Sequence, residues 1–535
     1  MNNGCWAARA RWTCPCVHGS EPIRKAAAGH VARRWLYLGH RWIGIATCLL
    51  FAMWFLSGLV MIYVPYPSLT DAERIARLEP IRWADVTAPA PDGSGLRSLT
   101  LEMRDGKPVW RTKPWTGEAE IISATAGQPV SAVTAGMAER VARRFGGAEI
   151  TSIHSLERDQ WTVAQRFDRH RPLWKIALAD PAGTEIYVSS RTGDVAQNTT
   201  RSERFWNWLG SVPHWLYFTA LRQDGALWRQ VILWVAGPCV ATGVTGFWIG
   251  LLRARLGRRR YKGGRITPYR GWMLWHHIAG LAGGIFLIAW IFSGWLSVDP
   301  GHLFRSEGIA EKNQRDYLGT LSIPSNAFGI VGKRMPGAVQ ITAMPSPGHE
   351  TLMVAMDRQG RHALINGRTL RAFNTSSAIL THAAARLLPG ASIASTQMIK
   401  QPDAYWYGTD ELTDFPVLRI MFNDPARTWV HLDLRTGELL GSVDARGRLY
   451  RWLFDMLHKW DLNILTYHRP SWDALLWILS LPGLTISVSG VWIGTKRLRS
   501  TGVVRPVDAH NYSPARVKER CSEGVLEERN SPIAC

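Results

Sequence analysis

Four histidines stand out because they come as matched pairs. His40 and His276 lie 236 positions apart, and His214 and His458 lie 244 apart. Their neighbours match at the same offsets. Around the first pair, Gly44, Trp54, Ser57 and Gly58 meet Gly280, Trp290, Ser293 and Gly294. Around the second, Trp208, Trp228 and Pro238 meet Trp452, Trp472 and Pro482, and Gly246-Phe-Trp248-Ile-Gly250 meets Gly490-Val-Trp492-Ile-Gly494. Asp180-Pro181-Ala182 meets Asp424-Pro425-Ala426, and Arg191-Thr192-Gly193 meets Arg435-Thr436-Gly437. Self-similarity at a fixed spacing marks a duplicated unit.

A neutral imidazole is a metal ligand. Two of them on opposite sides of one iron make a six-coordinate b-type haem, suited to electron transfer. Zinc fits less well, because it takes four nitrogen or sulfur ligands and no cysteine is near. The sequence holds no CxxCH, so covalent c-type haem is excluded. At 100° per residue, Gly44, Thr47, Phe51, Trp54 and Gly58 share the His40 face, and Gly280, Gly283, Leu287, Trp290 and Gly294 share the His276 face. Small residues a turn from a histidine let a flat macrocycle approach the backbone. They equally let two helices pack closely. His214 and His458 sit in apolar, Trp-rich segments, 205–221 and 449–465, either as a matched ligand pair or as wetted interfacial residues. His277 rivals His276 but aligns with Arg41, which is no ligand; the two stand where a haem propionate or a lipid headgroup could be paired. His468 aligns with Asp224 and is set aside. His154, His170, His302, His349, His362, His382 and His431 have no partner in the other copy and are read as solvated surface.

The elements that must position these residues are four long apolar stretches, at 35–64, 228–252, 272–297 and 472–495. Each exceeds the roughly 20 helical residues needed to cross a bilayer. Trp35, Trp42, Trp228, Trp272, Trp275 and Trp472 fall near their ends, as in an aromatic belt. The net charge of +21 first suggests nucleic acid, but its placement argues against that. Arg33 and Arg34 precede the first stretch; Arg253, Arg255, Arg258, Arg259, Arg260 and Lys262 link the second to the third; Lys496, Arg497 and Arg499 follow the fourth. The positive-inside rule assigns 1–34, 253–271 and 496–535 to the cytoplasm, N-in and C-in. Residues 65–205 and 298–447 then lie outside, joined to the next span by interfacial helices at 206–227 and 448–471. The two copies cross in the same direction and are related by a pseudo-twofold along the membrane normal.

No cleavable signal peptide is expected, because the first 30 residues lack the apolar core. Cys5, Cys14 and Cys16 fall in the cytoplasmic head, Cys48 and Cys239 in membrane helices, and Cys521 and Cys535 in the tail. The extracytoplasmic segments have no cysteine and must fold without disulfides. Their second halves are legible. Helical periodicity at 131–145 (Val133, Met137, Val141, Ala142) leads to strands at 173–179 and 185–190, and in the second copy at 417–423 and 429–434. Helix followed by antiparallel strands is α+β. The first halves, 65–130 and 298–375, are expected to be mixed strand and loop.

With these residues in view, the chain over roughly 34–499 resembles the PepSY-associated transmembrane family. The carriers are the His…Ser-Gly pattern of the membrane helices, the Arg-Thr-Gly turns, and the Trp-rich histidine segments that follow. Pro172–Val195 and Pro416–Leu439 resemble PepSY domains. The implied fold is a multi-pass α-helical membrane protein, with four transmembrane helices in two tandem parallel repeats and two α+β extracytoplasmic PepSY-like domains. The implied activity is that of bacterial inner-membrane dihaem reductases that release iron from ferric siderophores. Their ligands carry over to His40 with His276 and His214 with His458, each pair holding one of two b-type haems. No catalytic residue is assigned. No flavin or nicotinamide segment is visible, so the electron donor must be a quinol or a separate protein. The partners expected are the lipid bilayer and a ferric chelate or siderophore, and no nucleic acid. The rival is a non-redox membrane protein whose PepSY domains bind a periplasmic partner such as a protease. A transporter is a third class, against which stands the lack of buried carboxylates in the spans for ion coupling.

Overall fold

The computed structural model describes residues 20–501 except 131, 349 and 408–414. Cys5, Cys14, Cys16, Cys521, Cys535 and His349 lie outside the described residues. Four long helices run over Ser20–Met61, Gly225–Arg253, Trp272–Leu296 and Arg469–Thr501. All four are long and apolar enough to cross a bilayer. Asp224 starts the second by accepting from the backbone of Ala226 and Leu227. The first helix packs on the second and fourth, and the third also packs on the second and fourth, so the four close into a ring. Phe51, Phe55, Cys239, Leu287 and Ile291 fill its centre. The approach is closest where Gly283 meets Pro482 and Gly483 meets the Phe55 ring; a Cβ at either place would collide. Leu49, Trp234 and Ile285 stay exposed on the outside of the ring, an apolar surface of the kind lipid covers.

The sheets hold the main departure from expectation. The first halves of the two copies do not fold separately. β1 (Leu96–Arg104), β2 (Lys107–Pro114) and β3 (Ile121–Ser123) from the first copy join β8 (Gln340–Ser346), β9 (Glu350–Met356) and β10 (His362–Asn366) from the second. They form one six-stranded sheet, ordered β10-β9-β8-β1-β2-β3. The antiparallel seam sets Leu99 opposite Ala343 and Leu101 opposite Ile341. Three strands alone would leave β1 and β8 as open edges and bury little core; pairing them removes both faults. The core under the seam draws Leu99, Leu101 and Trp110 from one copy and Phe328, Val331, Ile341 and Met353 from the other.

The second halves are four-stranded antiparallel sheets. β4 (Ile150–Leu156), β5 (Leu173–Leu178), β6 (Glu185–Ser189) and β7 (Val195–Thr199) pack against the helix Ala135–Gly146. β11 (Ile393–Ile399), β12 (Val417–Phe422), β13 (Trp429–Asp433) and β14 (Leu439–Val443) pack against Ser377–Ala384. Each has two strands beyond the hairpin expected from the sequence.

The single interfacial helices expected at 206–227 and 448–471 are also broken. The first becomes Arg201–Leu209, Ser211–His214 and Thr219–Arg222. The second becomes Ala445–Tyr450, a π-helical turn at Arg451–Met456, then Leu457–Lys459 and Asn463–Thr466. Two residues past each histidine the backbone turns left-handed, at Leu216 (φ 51°) and Trp460 (φ 53°). A side chain strains that conformation, and the helix cannot continue through it.

Candidate functional site: the paired histidines

The two copies build the same contacts around their histidines. His214 closes a short helix beside the sheet-side end of the first long helix. Its Nδ1 lies 3.1 Å from Ser57 Oγ, and its carbonyl accepts from Trp54 Nε1 at 3.0 Å. In the second copy, His458 Nδ1 lies 3.0 Å from Ser293 Oγ, and its carbonyl accepts from Trp290 Nε1 at 2.9 Å. Ser57 already donates to the Met53 carbonyl at 2.6 Å and Ser293 to that of Trp290 at 3.0 Å. Each serine oxygen is therefore left to accept, and each imidazole carries its proton on Nδ1.

The other pair sits toward the opposite end of the bundle. His40 Nδ1 donates to the Thr242 carbonyl at 3.2 Å, with Thr245 Oγ1 at 3.5 Å. His276 Nδ1 donates to the Ile486 carbonyl at 3.1 Å and meets Ser489 Oγ at 3.0 Å. A carbonyl can only accept, so the proton is again on Nδ1. All four rings thus turn a lone pair outward on Nε2, and no described residue hydrogen-bonds to any of those four atoms. An acceptor bonded to one ring nitrogen, which leaves the other free, is how ligating histidines are held.

Glycines wall the rings. A Cβ built on Gly58 would stand 3.2 Å from His214 Cε1, and one on Gly294 would stand 3.3 Å from His458 Cε1. Gly246 and Gly490 take the same place against His40 and His276, at 2.6 and 3.7 Å.

The structure brings His214 and His458 together, with ring centres 6.1 Å apart and planes at 67°. Two metal–imidazole bonds of about 2.0 Å, plus about 1.2 Å from each nitrogen to its ring centre, sum to about 6.4 Å. The observed separation is thus close to that of two imidazoles on one metal ion. His40 and His276 lie within electrostatic reach of each other. Seventeen residues separate His40 from Ser57, and His276 from Ser293. That is about 25 Å of helix between the two levels, against a hydrocarbon core of about 30 Å. Packing pushes His214 down to about 4 and His458 to about 3, first by burial and, for His458, then by the facing His214. Both stay neutral, as ligands must. Among the described residues no group of three or more His, Cys, Asp or Glu could hold a metal ion, so the candidate metal chemistry rests on histidine pairs, of which His214 and His458 are in ring contact.

His277 turns elsewhere. It is buried, its Nε2 donates to the Gly250 carbonyl at 3.0 Å, and Tyr269 stands edge-on at 5.2 Å. Arg41 is exposed. The bond to Gly250 engages one nitrogen of His277, and its buried Nδ1 has no hydrogen-bond partner among the described residues. His468 is exposed and bonds to the Ile464 carbonyl through Nδ1.

Two soluble-domain histidines depart from the solvated reading. His170 is half-buried. His431 is 2% exposed, accepts from Arg419 Nε at 2.8 Å, and stacks on Trp406 at 4.5 Å. Burial, then the Arg419 charge, pushes it down to about 3. The residues that orient the histidine pairs, Ser57, Ser293, Trp54 and Trp290, were visible as repeat matches without a role. Thr245 and Ser489 match in position but not in identity, so a search for identical residues passes over them.

No family model matches the chain, and no curated protein matches it.

Proposed function

We propose that this protein is a dihaem electron conduit of the PepSY-associated kind in a bacterial inner membrane, which reduces a ferric chelate on the extracytoplasmic side. One observation carries the reading: four imidazoles in two repeat-related pairs, each with Nδ1 engaged and Nε2 free. His40 with His276 and His214 with His458 would hold the two b-type haems. The haems would supply one-electron chemistry, and an electron delivered to Fe(III) weakens its hard-oxygen chelation. The chain's part is to hold and aim the rings. Ser57, Ser293 and the Thr242 and Ile486 carbonyls fix the tautomer, Trp54 and Trp290 pin the backbone of the outer ligands, and the glycines leave room beside each ring. The basic flanks favour both termini and the 253–271 link in the cytoplasm. The donor would be a quinol or a separate protein.

The test is a spectrum. Full-length protein purified from haem-replete cells should show a Soret band, sharp α-bands on reduction, and two haems per chain by pyridine haemochromogen assay. Protein without haem would end this reading in favour of partner binding by the extracytoplasmic sheets.

A further inference from the structure

Arg104, the last residue of β1, is 6% exposed, yet its Nε, Nη1 and Nη2 have no hydrogen-bond partner among the described residues. Leaving one buried polar group unpaired is costly, and an unpaired guanidinium is more so. Arg104 is among the residues that line a cavity of about 80 Å³ between the β1–β2 hairpin, the helix Ala135–Gly146 and the Arg191-Thr192-Gly193 turn.

The acids lining that cavity are already taken by other arginines. Glu102 is held by Arg111 at 2.5 Å and by Gln340 at 2.7 Å. Asp194 is held by both terminal nitrogens of Arg111. Asp105 is held by Arg140 at 2.6 Å, and Glu79 by Arg144 at 2.8 Å. Arg104 is left without a hydrogen-bond partner, and the exposed Arg77, seated over Phe145, is a second arginine of the lining with no carboxylate partner among the described residues. Gly193 makes the approach possible. Its φ is 73°, and a Cβ there would stand 2.6 Å from Arg104 Nε. The matching Gly437 faces Pro347 and Leu380 instead, so the second copy has no such guanidinium at its turn.

We propose that this cavity is an oxyanion site that binds a carboxylate or phosphate group of a small solute through Arg104. Guanidinium presents paired donors that match either group. A single water needs about 10–15 Å³ of such space, so the cavity has room for one such group. The site belongs to the first copy alone and stands apart from the histidine pairs, so it does not depend on the haem reading.

The experiment is isothermal titration of full-length protein in detergent at fixed ionic strength, with acetate, citrate and inorganic phosphate as probes and chloride as the control. At least one oxyanion should bind saturably at one site per chain, and the series separates a carboxylate from a phosphate source. Arg104→Met, which keeps the apolar stem, should weaken that binding at least tenfold without changing haem content. If Arg104→Met does not fold, Arg77→Gln at the cavity lining should weaken binding by about threefold. The proposal is overturned if no oxyanion binds above the chloride background. It is equally overturned if Arg104→Met, or Arg77→Gln in its place, binds as the parent does.

Discussion

Gly246→Ala should damage the His40 level, whereas Gly490→Ala should leave the equivalent His276 level intact. The two glycines match in the repeat but not in clearance. A Cβ at 246 would lie 2.6 Å from His40 Cε1, and one at 490 would lie 3.7 Å from His276 Cε1. Carbon atoms rest at about 3.5–4.0 Å. The alanine at 490 therefore meets ordinary contact, and the alanine at 246 requires the His40 ring to move by about 1 Å. The ring is the free end of a side chain, so the helices can stay in place while the imidazole shifts off its Thr242 acceptor. Overpacking of this kind costs about 1–3 kcal/mol, or roughly 5–150-fold in an equilibrium. In the proposed haem site that cost would fall on an iron–imidazole bond, whose length allows no such slack. Absorbance spectra and haem stoichiometry of the two purified variants make the comparison. Gly246→Ala should bind its second haem more weakly, or show a five-coordinate fraction, with thermal stability little changed. Gly490→Ala should match the parent. Equal spectra for both variants, or greater loss in Gly490→Ala, would refute the clearance argument.

His276→Ala should drop haem content from two equivalents to one, while His277→Ala should keep two and lose only the hydrogen bond to Gly250, about 1 kcal/mol of stability; the haemochromogen assay decides, and the reverse pattern would mean the ligand register of the third helix is wrong. Reporter fusions after Ser202 and after Arg260 should report outside and cytoplasm respectively, and an exported reporter active at Arg260 would overturn the orientation. His431 carries a pH dependence: its folded pKa is pushed down to about 3, below an ordinary value of about 6.5, so protons favour the unfolded chain. The stability of its sheet should be flat above about pH 6.5 and fall as pH drops toward 3. His431→Gln, which can still accept from Arg419, should flatten that fall in melting curves between pH 7.5 and 5, and an unchanged slope would count against the buried neutral ring.

What was legible in the sequence follows from which forces act locally. The four long helices show in composition, because about 20 apolar residues in a row have few other uses. The histidine pairs show because the duplication supplies an internal comparison: His276 could be separated from His277 by its match to His40. The hairpins β5–β6 and β12–β13 show through their Asp-Pro-Ala turns and alternating apolar residues. The six-stranded sheet does not show. Whether Leu99 pairs with Ala343 is decided by two edges more than 240 residues apart, and nothing near either strand encodes it. The kinks at Leu216 and Trp460 are equally silent, since neither residue type favours positive φ and tertiary contacts impose it. His431 was misjudged because its burial depends on Trp406 and Arg419 arriving from neighbouring segments.

The shared sheet bears directly on the site. A metal ion held by two histidines from different copies needs their separation fixed to a few tenths of an ångström, and two freely associating halves would supply that only at the cost of association entropy. Here the halves are tied at both ends of the His214–His458 pair. On one side the first helix packs against the fourth and the second against the third, so both of these contacts join the two copies. On the other side β1 of the first copy pairs with β8 of the second. Duplication within one chain turns what would be a dimer interface into a folded core, with the Leu99–Ala343 seam buried at 0% exposure on both sides. It also frees the copies to diverge where symmetry is not needed. The Gly193 and Gly437 turns are one instance: the first embraces Arg104, and the second is closed by Pro347. The repeat is thus kept at the histidines and given up at the cavity, as expected if the two places answer to different ligands.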